Sequence, residues 1–60
     1  MSTTHISADQ RERLEAAWNK LIDDGLAPKD ITGESLRKVT RIRAQVARAF
    51  AKEKHREALS

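Results

Sequence analysis

Sixty residues with no cysteine, one proline and a formal net charge of +3 allow a single small domain and exclude a disulfide framework or a thiolate metal site. A chain this short buries only about 60% of the surface its unfolded form exposes, so it cannot enclose an ordinary ligand pocket unaided. No apolar run nears the roughly 18 residues of a membrane span, and the N-terminus lacks the basic and apolar regions of a secretory signal, so the expectation is a cytoplasmic protein with no membrane contact and no cofactor.

Residues 1–6 read as a flexible N-terminal tail, and residues 7–60 as one helical domain. The first helix is predicted over about 8–24. Ser7 is a good N-cap, and Gln10 three residues later completes a capping box. Asp9 puts negative charge in the first turn, where the helix dipole favours it. Leu14, Ala17, Trp18, Leu21 and Ile22 recur at helical spacing as one apolar stripe. Gly25 supplies a left-handed C-terminal cap, with Leu26 able to fold back on the last turn.

The stretch from Ala27 to Asp30 forms a corner, because Pro28 cannot continue the helix and biases Ala27 away from helical dihedrals. Ile31 is expected to pack inward. A second helix is predicted over about 33–57, with Thr32 as N-cap and Asp30 as the alternative, and Glu34 and Ser35 in its first turn. No glycine or proline interrupts it. Leu36, Val39, Ile42, Val46 and Phe50 form its apolar stripe, flanked by Ala47 and Ala49. Beyond Ala51 the apolar face fades, so that end is expected to fray or to run past the core.

These elements predict an all-α protein, a two-helix antiparallel hairpin. Two helices cannot cover both sides of such stripes. Pairing of two hairpins as a homodimeric four-helix bundle would cover them. Leu14, Trp18, Leu21, Ile22, Leu36, Val39, Ile42, Val46 and Phe50 are the expected core and dimer interface.

Charge divides sharply along the chain. Residues 1–35 carry four Lys/Arg against seven Asp/Glu, a balance of −3, and residues 36–60 carry eight against two, a balance of +6. On a continuous second helix Arg37, Lys38, Arg41, Arg48, Lys52 and Arg56 fall within about 100° of arc at 100° per residue, opposite the apolar centre at Val46. A stripe of one sign suits a polyanion, and arginine can bind phosphate bidentately or stack on a base. Gln45 lies close enough to read adenine in a major groove. The competing account is an ordinary solvated helix face, part of it neutralised if the hairpin brings Asp23 and Asp24 to Arg37 and Lys38. Arg43 stands apart as a boundary residue.

Trp18 and Phe50 fall inside apolar stripes and read as core rather than as base-stacking platforms. His5 reads as a tail residue and His55 as a solvated surface histidine. No nucleophile with a nearby histidine, no phosphate-cradling glycine loop and no metal-ligand spacing is present, so no enzyme is expected. The function expected is DNA or RNA binding through Arg37, Lys38, Arg41, Gln45, Arg48, Lys52 and Arg56. The alternative is a protein-interaction module, such as a small phage- or plasmid-type inhibitor, docking its apolar face on a partner.

Two family resemblances accompany this reading. The segment Lys38-Val-Thr-Arg-Ile-Arg-Ala-Gln-Val-Ala-Arg48 is similar to the last helix of the small two-helix protein of the large ribosomal subunit, which implies an antiparallel hairpin and an RNA partner. Ala16-Ala17 followed by Leu21, Gly25 and Pro28 resembles the opening helix of plasmid KfrA-type DNA-binding domains, which implies a DNA partner.

Overall fold

The structure is a computed structural model and describes residues 5–59, so Met1–Thr4 of the expected tail lie outside it. Within that span the chain forms α1 (Ala8–Asp23), a 3-10 turn at Pro28–Asp30, α2 (Gly33–Thr40) and α3 (Ala44–Leu59). His5 is exposed, whereas Ile6 is half-buried against the core.

Local chemistry builds α1 as its sequence suggests. The Ser7 side chain accepts from the Gln10 amide at 3.2 Å, and the Gln10 side chain accepts from the Ser7 amide at 3.3 Å. The helix ends in a Schellman motif: the Leu26 amide donates to the Leu21 carbonyl at 3.1 Å and the Gly25 amide to the Ile22 carbonyl at 3.0 Å. Gly25 takes φ 102, which an L side chain rarely adopts. The corner then turns on Pro28, with the Ile31 amide reaching the Pro28 carbonyl at 3.2 Å.

The predicted continuous helix over 33–57 is not formed, and the two-helix hairpin is replaced by three helices. The chain leaves α2 at Arg41, which takes a left-handed conformation at φ 61 and ψ 19. Thr40 makes this possible. Its hydroxyl donates to the Leu36 carbonyl at 2.8 Å and accepts from the Ile42 amide at 3.2 Å, giving that amide a partner outside any helix. A left-handed arginine costs about 1–2 kcal/mol relative to ordinary dihedrals. Burial of Ile42, which is 7% exposed, offsets that cost.

Three helices cover what two could not. Leu14, Ile31, Leu36, Ala47 and Phe50 are fully buried within one chain, with Ala17, Trp18, Ile42, Val46 and Ala51 nearly so. The Cα radius of gyration, 10.7 Å, is close to the roughly 10.4 Å expected of a packed domain of this length. Uncovered stripes therefore no longer call for a four-helix bundle of two hairpins. Of the expected core and interface residues, Leu21 is half-buried, while Ile22 (37%) and Val39 (46%) are exposed. The turn at residues 41–43 ends α2 at Thr40, and Val39, one residue earlier, is left exposed.

The far end of α3 is tied to the core. The His55 Nε2 lies 2.7 Å from the Ile31 carbonyl, and its ring sits 6.0 Å from Trp18, so His55 is a structural link and not a solvated side chain. Lys54 pairs with Glu15 at 2.8 Å and lies 5.6 Å from the centre of the Phe50 ring. Arg11 pairs with Glu53 at 3.2 Å. These contacts clamp α1 to α3 where the apolar stripe runs out, and the segment beyond Ala51 stays helical.

Candidate nucleic-acid interface

The break at Arg41 rearranges the predicted basic stripe. On one straight helix Arg37 to Lys52 would line a rod of about 22 Å at roughly 1.5 Å per residue. Instead Arg37 and Lys38 belong to the last turn of α2, Arg41 caps it, Arg43 lies in the turn, and Arg48 and Lys52 belong to α3. Arg37, Lys38, Arg41, Ile42 and Arg43 line one open cleft of about 360 Å3. Arg43, which sequence reasoning set aside as a boundary residue, is thus brought to the site. Its neighbour Arg41 gives no advance sign of a left-handed residue, so nothing in the sequence assigns Arg43 to this cleft.

None of Arg37, Lys38, Arg41, Arg43, Arg48 and Lys52 is ion-paired with a described carboxylate. Asp23 and Asp24 do not neutralise Arg37 or Lys38. Glu34, a turn earlier on α2, pairs with neither. By contrast, of the six other Lys and Arg residues, Arg11 and Lys54 clamp α1 to α3 and Arg13 lies 3.8 Å from Asp9. Like charges crowded around one cleft repel, so an anion placed there relieves that repulsion as well as making its own contacts.

The exposed side of α3 carries a second group. Val46, Ala47, Phe50 and Ala51 face the core. Gln45, Arg48, Ala49 and Lys52 fall within about 100° of arc on the outer side. Gln45, Arg48 and Lys52 are exposed and Ala49 is half-buried. Gly33 fixes this face relative to α2. A Cβ there would stand 2.6 Å from Arg48 Cγ and 2.7 Å from Arg48 Cα, so the start of α2 rests directly on the middle of α3.

Arg41 offers a direct test of the turn. Glycine accepts the left-handed conformation without strain, so Arg41→Gly should raise stability by about 1 kcal/mol. In a domain of this size that is a rise of roughly 4–8 °C in Tm, read by circular dichroism. The same substitution should weaken binding to a polyanion. An unchanged or lower Tm would contradict the account of the turn.

Among the described residues no cluster of His, Asp or Glu could hold a metal ion, and no helix is long and apolar enough to cross a membrane. Compared with known proteins, the chain matches no family model, and no curated protein or solved structure matches it.

Proposed function

We propose that the chain is a non-enzymatic nucleic-acid-binding protein that grips the phosphate backbone with the basic surface running from the end of α2, through the turn, onto α3. The observation that carries this reading is the cleft of Arg37, Lys38, Arg41 and Arg43, four cations with no carboxylate partner among the described residues. Nucleic acid presents anions at regular spacing, and each Lys or Arg contact releases condensed counterions. Arginine supplies three of the four groups, and its planar fork matches phosphate oxygens in pairs. Arg48 and Lys52 extend the surface, and Gln45 adds a neutral hydrogen-bonding group.

A second copy belongs to the same reading. Among the described residues, Ile22, Leu26 and Val39 are the large apolar side chains left exposed. A two-fold pairing through them would present two basic surfaces to one nucleic acid. A Tm that rises with protein concentration supports it, and a monomer in sedimentation at high micromolar concentration removes it.

Protein docking is the competing reading. The observation in its favour is a groove of about 380 Å3 lined by Ala16, Ala17, Val39 and Thr40, with Arg13 and Lys20 beside them. An amphipathic helix of a partner could lay its apolar face there.

Titration of generic duplex DNA and of RNA between 50 and 200 mM salt separates the two. If about four phosphates are neutralised on duplex DNA, log K falls against log salt with a slope near −3.6. Arg41→Glu with Arg48→Glu should remove at least two contacts, which is about 1.8 off the slope and close to two decades of affinity at 0.1 M salt. Arg13→Glu with Lys20→Glu, beside the other groove, should matter far less. Absence of low-salt binding to either nucleic acid, or full binding by the Arg41/Arg48 double variant, would turn the assignment toward the protein partner.

A further inference from the structure

We infer that the nucleic acid is B-form duplex DNA, read in its major groove by the outer face of α3, with Gln45 and Arg48 as the base-reading side chains. This rests on the nucleic-acid reading above and adds to it the form of the ligand and a division of labour among the residues.

The geometry begins with the pair α2 and α3. An eight-residue helix, a three-residue turn and a sixteen-residue helix follow one another, with the start of α2 resting on Arg48 of α3 while Gln45, Arg48 and Lys52 stay exposed. That order of elements is shared with the helix–turn–helix unit, in which the first helix crosses the backbone and the N-terminal residues of the second contact base edges. α3 is free to do so. From Ala44 to Lys52 its outer face carries no described ion pair, and its inner face is locked by Val46, Ala47, Phe50 and Ala51.

The side chains on that face differ in kind from those of the cleft. The cleft holds only cations around Ile42, which suits phosphate and nothing more selective. The α3 face opens with Gln45, whose amide can meet the N6 and N7 of adenine together. Arg48 follows, and its fork can meet the O6 and N7 of guanine. Ala49 beside them is small enough to let the helix backbone approach and can touch a thymine methyl. Gln45 to Lys52 spans about 10 Å of helix, the length of three base-pair steps at about 3.4 Å each. A phosphate-only surface has no use for a glutamine and an alanine at its centre.

Groove dimensions select the form of the ligand. A helix with its side chains is about 10–12 Å across, and the B-DNA major groove is about 12 Å wide. The major groove of A-form RNA is deep and too narrow for side chains to read, and a single strand offers no groove. The cleft at Arg37, Lys38, Arg41 and Arg43 lies at the entry to α3, where the groove wall would run. Gly33 acts as a positioning residue: by seating α2 on Arg48 it fixes the cleft against the reading face.

The test uses the full chain in three measurements. Anisotropy titrations at matched salt compare a duplex DNA, the RNA duplex of the same sequence and the single DNA strand. In vitro selection from a random duplex library then asks whether a motif is enriched. Finally Gln45→Ala, Arg48→Ala and Arg41→Ala are titrated on the selected site and on a scrambled one, with helicity checked by circular dichroism. The expected result is at least a tenfold preference for duplex DNA over both competitors, and a short motif containing guanine and adenine. Gln45→Ala should relax the preference at one position by about tenfold or more while binding scrambled DNA nearly as before, and Arg48→Ala should relax it at a second position while also weakening both sites through the lost cation. Arg41→Ala should weaken both sites alike and lower the salt slope by about 0.9. Should Arg48→Ala lose helicity through its contact with Gly33, Gln45→Ala alone decides. Equal or tighter binding to the RNA duplex, or a selected pool with no motif, overturns the major-groove inference and leaves phosphate binding standing. No binding to any of the three at low salt overturns both.

Discussion

Phe50→Ala should remove about 3–5 kcal/mol, a large share of the chain's stability. Phe50 is fully buried and meets Trp18 edge-on, with ring centres 6.4 Å apart and planes at 77°. The Arg11 guanidinium and the Lys54 ammonium lie 6.0 Å and 5.6 Å from its centre. Truncating such a residue typically costs about 3–5 kcal/mol, through lost transfer energy and the cavity left behind. At about 0.05–0.15 kcal/mol per residue, a 60-residue domain has only about 3–9 kcal/mol to lose. The exposed ion pair from α1 to α3 does not offset such a loss. Arg11–Glu53 is about half exposed on both sides, and such pairs contribute about 0–1 kcal/mol. Urea titration followed by Trp18 fluorescence and circular dichroism checks this. Phe50→Leu, which keeps most of the volume, should cost far less and serve as the control. If Phe50→Ala folds as stably as the parent, the core is not organised around this ring.

The same core shows why part of the fold was legible in the sequence and part was not. α1 is written in local chemistry. Ser7 and Gln10 form their capping box within four residues, and Gly25 is needed for a φ that few other residues accept. The end of α2 has no such signature. Leu36, Val39, Ile42 and Val46 keep helical spacing straight through the turn, because periodicity reports which side chains face inward and not whether the backbone between them is continuous. The break depends on the Thr40 hydroxyl taking over the Ile42 amide and on a left-handed arginine, both paid for by tertiary burial. The place of His55 is hidden from the sequence for a similar reason: its partners, Ile31 and Trp18, come from elements distant in sequence. The candidate site divides along the same line. The outer face of α3 could be drawn on a helical wheel, since one helix is a local object. The cleft that joins Arg43 to Arg37, Lys38 and Arg41 exists only because the chain turns.

Gly33→Ala tests whether that turn is held where the site requires it. Gly33 is buried at the first position of α2, and no positive φ is recorded for it. On helix propensity alone alanine would be favoured there, by at most about 1 kcal/mol. Packing decides the other way. The added Cβ would meet Arg48 Cγ at 2.6 Å, Arg48 Cα at 2.7 Å and the Arg48 amide nitrogen at 2.8 Å. A flexible side chain could move aside, but Cα and the amide nitrogen belong to the backbone of a sixteen-residue helix, so α2 must shift instead. Overpacking of this kind costs about 1–3 kcal/mol, and a domain this small would show it as a Tm lowered by several degrees or more. The shift would also move the cationic cleft relative to Gln45 and Arg48. Affinity for duplex DNA should therefore fall even under conditions where circular dichroism shows the variant fully helical, and no cation has been removed to account for the loss. A variant as stable as the parent, binding DNA equally well, would mean that α2 and α3 do not meet at Gly33 and that the spacing between the cationic cleft and the proposed reading face is set elsewhere.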